Sequence, residues 1–312
     1  MGNLKVAAAQ LAPVFFDRDR TVQKACAAIE EAGGHGARLV AFPESFIPGY
    51  PYFAMLCAPT AINDYMRMLY REAVQLPSPA VEQLCGAARR AGTYVVMGLH
   101  EREGGTLYNS QLFIGPDGTV LGCRRKLVPT SHERLVWGRG DGSDLKVYST
   151  DIGVLGGLIC YEHANALFRY ALQAQREQIH IATWPGGMSS IDPIIDAAAR
   201  HYAFEAQAFV VNVTSVLTPA ALAGLPDELR DKLTPGGGHS AIISPRGGYL
   251  AGPVREGEQL VYAELDFELI DKLKSIVDTA GHYARPDVVR LKLNGARQRS
   301  LEGFDGFEPE SK

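Results

Sequence analysis

The chain has 312 residues, 46% hydrophobic and 21% charged, with a formal net charge of −4. That is the make-up of a water-soluble globular protein able to bury a sizeable core, and its slight acidity argues against a nucleic-acid or anionic-membrane partner. The five cysteines, at 26, 57, 85, 123 and 160, form no C-x-x-C pair and are odd in number, which argues against a zinc ribbon or disulfide framework and suits a reducing cytoplasm.

The opening "MGNLKVAAAQLAPVFFD" breaks its apolar run at Gln10 and Pro13, so it predicts a first strand and loop rather than a signal peptide. Val6 stands where a myristoylation site needs Ser or Thr. No apolar run approaches the ~20 residues that cross a bilayer. After the strand "LKVAAAQL", Val22, Ala25, Cys26 and Ile29 share a helical face. "ARLVAFPES" predicts a second strand. Ile62, Tyr65, Met66, Leu69 and Ala73 mark one further helix, and Val81, Leu84, Cys85 and Ala88 another. Cys26 and Cys85 are read as core residues there, free cysteine being commonly buried.

"TYVVMGLHE" and "NSQLFIGP" predict the next strands, and a strand-like segment precedes Lys126. "IGVLGGLIC", "QIHIATWP", "AFVVNVTS", "HSAIISP" and "QLVYAELD" follow. Between them, Leu167, Tyr170, Ala171 and Ala174 form one helical face, and Ile195, Ala198, Ala199, Tyr202 and Ala206 another. Residues 218–238 are rich in proline and glycine and predict an irregular surface excursion. The acidic end "LEGFDGFEPESK" predicts a loosely held tail. Strands alternating with helices, several of them apolar throughout, predict an α/β fold with covered sheets. No linker divides the chain.

Three apolar segments end on a reactive side chain: Glu44, Lys126 and Cys160. In open α/β sheets functional groups gather where strand ends meet the following loops, so a carboxylate, an ammonium and a thiol far apart in sequence can converge. Taken singly each is ordinary: an exposed glutamate, a solvated basic turn beside Arg124 and Arg125, a core cysteine. A thiol of ordinary pKa, about 8.5, is only ~3% ionised at neutral pH, so a working nucleophile needs either a nearby cation or a base to take its proton. Both routes stay open on the sequence. No H-E-x-x-H or comparable ligand spacing points to a metal, and the chemistry needs no metal or organic cofactor.

The segments around these residues, "FPESFIPGYP", "RRKLVPTSHERLVWGRGDGS" and "GGLICYEHANALFRYALQAQREQIHIATWPG", resemble the nitrilase superfamily of carbon–nitrogen hydrolases. Further likeness runs through "IDPIIDAAARHYAFEAQAFVVN" and "GHYARPDVVRL". The resemblance implies an α-β-β-α sandwich, with residues 1–290 as a single carbon–nitrogen hydrolase domain and 291–312 as a C-terminal tail serving oligomer contact or loosely ordered. It implies Glu44, Lys126 and Cys160 as the catalytic triad and Glu133 as a second glutamate at the site. Tyr50, His132, Trp137, Tyr161 and Trp184 are the candidate substrate-binding residues beside it. "PTSHERLVWGRGDGS" and "YALQAQREQIHIATWPG" are similar to nitrile-cleaving members. Tyr161 departs from the Trp usual after a nitrilase nucleophile, and Tyr is commoner there in amide-cleaving relatives. A nitrilase is therefore expected, with an amidase or carbamoylase, or a non-catalytic scaffold on the same fold, as alternatives. The implied setting is cytoplasmic, as a homo-oligomer (dimer or larger) acting on a small nitrile, with no nucleic acid or membrane partner.

Overall fold

A computed structural model describes residues 3–298 and 301. The predicted strands are present: β1 (Leu4–Gln10), β2 (Leu39–Ala41), β3 (Tyr94–Glu103), β4 (Thr106–Ile114), β7 (Gly153–Ile159), β8 (Ile179–Trp184), β9 (Phe209–Thr214), β10 (Ser240–Ile243) and β12 (Gln259–Leu265). The strand-like segment before Lys126 is β5 (Val120–Arg125), and two strands were not foreseen, β6 (Tyr148–Thr150) and β11 (Tyr249–Val254). They form two six-stranded sheets, ordered β12-β1-β2-β3-β4-β5 and β11-β10-β9-β8-β7-β6.

Alternation along the strands explains the layering. In β1, Val6 and Ala8 enter the core between the sheets with Phe113, Ile181 and Val211, while Ala7 and Ala9 face outward toward Val22, Ile29, Leu84 and Ala88. Those last residues belong to the helices Arg18–Gly34 and Pro79–Ala91, which cover the first sheet. The first of these helices starts at Asp17, whose carboxylate accepts from the Arg20 N–H, and the second ends at Gly92 in the left-handed region. Helices Ala166–Gln173 and Asp192–Ala206 pack on the second sheet through Ala171, Leu172, Ile195, Ala199 and Tyr202. The result is the α-β-β-α sandwich that the resemblance implied. Each fully buried Leu or Ile in these layers contributes about 1.5–3 kcal/mol of transfer free energy.

Two expectations need correction. In Ala166–Gln173 the buried face is Ala171, Leu172 and Gln173, and Leu167 is 62% exposed. Gln173 turns inward and donates to Glu205. Residues 218–238 lie largely at the surface as expected, but they are not irregular throughout: they contain the short helices Pro219–Ala223 and Asp227–Arg230. Leu222, Leu225 and Leu229 join Phe53, Tyr50 and Trp137 in a separate apolar cluster.

Chain direction positions the site. β2 is parallel to β3, and β5 returns to the same direction through antiparallel β4, so Glu44 and Lys126 leave the first sheet at one end. β7 ends at Ile159, immediately before Cys160, in the facing sheet. Part of the predicted tail is defined: Arg297 donates to Glu103 and the Gln298 N–H to Asp141. Its acidic end from residue 302 lies outside the described residues. Among the described residues no helix is long and apolar enough to cross a membrane.

Candidate active site

Cys160 directly follows β7 and opens the short turn Cys160–Ala164 with φ at +53°. A left-handed backbone at a non-glycine residue costs energy and persists only where surrounding contacts impose it. Glu162 supplies several of them. Its carboxylate accepts from the N–H groups of Ile159 (2.8 Å) and Leu127 (2.7 Å) and from Arg124 (2.7 Å), the Ile159 and Arg124 contacts being buried. One carboxylate thus ties the strand before Cys160 to the chain just after Lys126.

Glu44 sits three residues past β2, and its N–H donates to the Trp184 carbonyl at 3.3 Å, across to the second sheet. Ser45, the next residue, also has a left-handed backbone, at φ +46°. Glu44 Oε1 accepts from Lys126 Nζ (2.8 Å) and Asn109 Nδ2 (2.6 Å), while Oε2 is buried and has no hydrogen-bond partner among the described residues. Glu133 lies in the short helix Ser131–Leu135 and closes a capping box with Thr130. Its Oε2 accepts from Lys126 Nζ (2.6 Å) and the Thr130 N–H (2.7 Å), and its Oε1 from the Tyr50 hydroxyl (2.9 Å).

The three sequence candidates and Glu133 converge. A carboxylate oxygen of Glu44, one of Glu133 and the Cys160 Sγ all lie within 4.8 Å of one another. Glu44, Lys126, Glu133 and Cys160 are all buried. Three such donors are the minimum for holding a metal ion, but Lys126 already bridges both carboxylates with its own positive charge. A divalent cation would have to displace that ammonium, so the donor set is built around lysine.

Burial sets the protonation states. It pushes Glu44 up; Lys126 pulls it back and Glu133 pushes it further, leaving it at about 7. Burial also drives the Cys160 thiol well above its ordinary value, Glu44 adds to this, and Lys126 opposes without reversing it. Burial works against the Lys126 ammonium, but Glu44, Cys160 and Glu133 outweigh it and hold its pKa above the usual lysine value. The resting site is therefore a neutral thiol beside an ammonium and a carboxyl group poised near neutrality. That arrangement favours proton transfer to Glu44 over a preformed thiolate. The Tyr161 N–H lies beside the sulfur, favours its charged form, and is a ready donor for charge developing near it.

The remaining candidates divide by position. The Tyr50 hydroxyl contacts His132 Nε2 at 3.0 Å as well as Glu133, and burial lowers the His132 pKa. Trp137 packs edge-on against Tyr50, with Lys126 Nζ 5.8 Å from its ring centre. Its indole donates to His100 Nδ1 at 2.9 Å, and His100 Nε2 donates to the Gly49 carbonyl. Tyr161 is 37% exposed and lines an open depression of about 510 Å³ with Pro129, Arg134, Asn165 and Phe168. Trp184 is fully buried and stacks on His163, with ring centres 5.0 Å apart.

Asn109, Arg124, Glu162 and His100 were not singled out on the sequence. Only Glu162 carried a local cue, since a Glu at the third position of a turn is a capping residue. The contacts of the other three come from loops and turns distant in sequence: Glu44 for Asn109, Glu162 for Arg124, and Gly49 and Trp137 for His100.

A family model described as carbon–nitrogen hydrolase matches residues 5–275. A protein named nitrilase from Paraburkholderia phymatum is 44% identical over 297 residues, covering 93% of this chain and 86% of that protein. An aliphatic nitrilase from Rhodococcus rhodochrous is 44% identical over 302 residues, covering 93% and 82%. Among solved structures, Saccharomyces cerevisiae Nit3, a member of branch 10 of the nitrilase superfamily, aligns with a TM-score of 0.72 at 22% identity, covering 90% of this chain and 96% of that one. An amidase from Nesterenkonia sp. AN1, with acrylamide added at its active-site cysteine, aligns at 0.67 and 18% identity, covering 87% and 97%.

Proposed function

Since the chain belongs to the carbon–nitrogen hydrolase family, on its nitrilase branch, we propose that it hydrolyses an organic nitrile to the carboxylic acid and ammonia through covalent cysteine intermediates. The observation that carries this reading is the buried meeting of Cys160 with Glu44 and Glu133 around Lys126. The relatives named nitrilase, matched over most of their length, support nitrile as the substrate class.

The course is as follows. Glu44 takes the thiol proton as Cys160 Sγ attacks the nitrile carbon, then gives that proton to the nitrogen, leaving a thioimidate. A water, deprotonated by Glu44, adds to the same carbon and the nitrogen takes up that proton; as the new hydroxyl becomes the carbonyl, its proton passes through Glu44 to the nitrogen, which leaves as ammonia, and a thioester remains. A second water, activated in the same way, breaks the carbon–sulfur bond and restores the thiol with release of the acid. Two waters are consumed for one ammonia and one acid. Lys126 and the Tyr161 N–H stabilise the negative charge at each tetrahedral stage. Glu133 orients Lys126 and neutralises it while Glu44 carries a proton. Tyr50, His132, Trp137, Tyr161 and Trp184 are assigned to the substrate-binding surroundings. The test compares ammonia release from a nitrile panel and from the matching amides. Faster turnover of the amides throughout would move the assignment to an amidase.

Cytoplasmic residence and homo-oligomerisation belong to the same proposal. The free state of all five cysteines supports the first. Leu167 and Phe204, exposed on the two helices outside the second sheet, support the second.

The protonation of Glu44 makes a further prediction. Only its carboxylate accepts the thiol proton, and that form grows as pH rises through about 7. The profile of kcat/KM against pH is expected to climb over that range, reporting the cluster as a unit. Asn109→Ala removes a hydrogen bond that holds Glu44 down, so it should move this limb to higher pH. A limb unmoved in that variant would show that another group controls it.

A further inference from the structure

Behind the nucleophile turn lies a run of buried titratable side chains that the reaction course above does not use. His163 Nδ1 is 2.7 Å from the Cys160 main-chain oxygen, His163 Nε2 is 2.9 Å from His180 Nε2, and His180 Nδ1 is 2.9 Å from Glu177 Oε1. The Tyr202 hydroxyl closes the far end by donating to Glu177 Oε2. All four side chains are buried, with the His180 ring stacked on Tyr202 at 3.6 Å. Gly156 in β7 makes the room, since a Cβ there would collide with the Glu177 carboxyl group.

The protons can be counted. A carbonyl oxygen only accepts, so His163 Nδ1 carries a proton, and one of the two facing Nε2 atoms must donate to the other. Every arrangement that satisfies all three contacts then holds three exchangeable protons on Glu177, His180 and His163 and is neutral overall. In the version free of charges, the Glu177 acid donates to His180 Nδ1, His180 Nε2–H donates to His163, and His163 Nδ1–H donates to Cys160. Burial favours that version. It raises Glu177 to about 8, against the pull of Tyr202, Lys274 and Arg124. It drives His180 and His163 well below the ordinary histidine value; Arg124 adds to the first, and His180, Arg124 and Arg169 add to the second. Glu162 opposes the shift at His180, and the Cys160 carbonyl opposes it at His163. With the third proton gone, two lone pairs face each other somewhere along the run and one contact breaks.

We propose that Glu177 is a positioning residue for the nitrile-cleaving reaction: its acid proton, relayed through His180, fixes the tautomer of His163, whose N–H holds the left-handed Cys160 backbone in its attacking orientation. The proposal rests on the nitrilase reading for its reaction but not for its geometry.

Glu177→Gln and Glu177→Leu, in the full-length protein, test it. Glutamine offers an N–H to His180 and an oxygen to Tyr202 without a titratable proton, whereas leucine keeps the bulk and donates nothing. At about pH 7, Glu177→Gln should stay within about threefold of wild-type kcat while Glu177→Leu loses about tenfold or more, the size of one hydrogen bond. As pH rises through about 8 the wild type should decline, and Glu177→Gln should not. Alkylation of Cys160 by iodoacetamide, followed by mass spectrometry, reads the thiol without any nitrile and should slow only in Glu177→Leu. Wild-type kcat and alkylation in Glu177→Leu would overturn the proposal, as would a folded Glu177→Gln impaired as badly as Glu177→Leu. If Glu177→Leu does not fold, an alkaline limb in Glu177→Gln identical to wild type overturns it. A wild-type protein inert to every nitrile would sink the substrate reading instead, and the alkylation comparison would still decide the role of Glu177.

Discussion

Cys160→Ala is expected to lower ammonia release from a nitrile by about 10⁴-fold or more, the scale on which removal of a covalent nucleophile acts. No other thiol substitutes for it. Cys26 faces the cleft between the two helices of the first sheet, Cys85 packs in the core on that side, and Cys57 lies in the apolar cluster with Phe53. Cys123 contacts Glu101 on the first sheet. The loss should be purely chemical. Removing one buried sulfur leaves a small cavity worth about 1–2 kcal/mol, and the contacts that shape the turn run through Glu162 and the Cys160 main chain, which alanine keeps. The melting temperature and far-UV dichroism of the variant check this. Undiminished ammonia release would show that the nucleophile lies elsewhere.

Glu44→Gln is expected to cost about 10²–10⁴-fold in kcat, the range for a lost general acid–base. The substitution is nearly isosteric, and its effect follows from the two oxygens being used differently. Oε1 accepts from Lys126 and Asn109, and an amide oxygen can take over both contacts. Oε2 has no partner among the described residues and is free to receive the thiol proton; an amide nitrogen in its place is already a donor and cannot. Lys126 keeps Glu133 as counter-ion, so the variant should fold and bind nitrile. The measurement is single-turnover kinetics with mass detection of the thioimidate. Accumulation of covalent adduct at the wild-type rate would mean that another group takes the thiol proton.

Much of this site was legible before any coordinates. Apolar runs ending on Glu44, Lys126 and Cys160 pointed to strand ends, and strand ends on one side of a sandwich meet. Local pattern went less far where tertiary contacts dominate. β6 is an edge strand of only three residues, and β11, at the other edge, carries Gly252 and Pro253, which read as a turn; each is defined by its neighbour, β7 or β10. The 218–238 segment reads as loop from its prolines and glycines, yet Leu222, Leu225 and Leu229 had an apolar cluster to enter. The buried face of the helix Ala166–Gln173 includes Gln173, whose contact with Glu205 no apolar stripe reveals. Asn109 and Glu177 left no trace, since a lone Asn in a strand or a Glu before one has no periodicity; their partners include Glu44 in a loop and Tyr202 on a helix, both far away in sequence.

The charges sealed around Lys126 bear on how a turnover ends. With both carboxylates ionised and the thiol neutral, the cavity interior carries one more negative charge than positive. An uncharged nitrile enters that field without penalty, whereas the acid, once ionised, feels repulsion of about 4 kcal/mol per unit charge at about 4 Å and an effective dielectric near 20. The same surplus that makes Glu44 a better base thus drives out what the enzyme makes, and limits how tightly its own product can inhibit it.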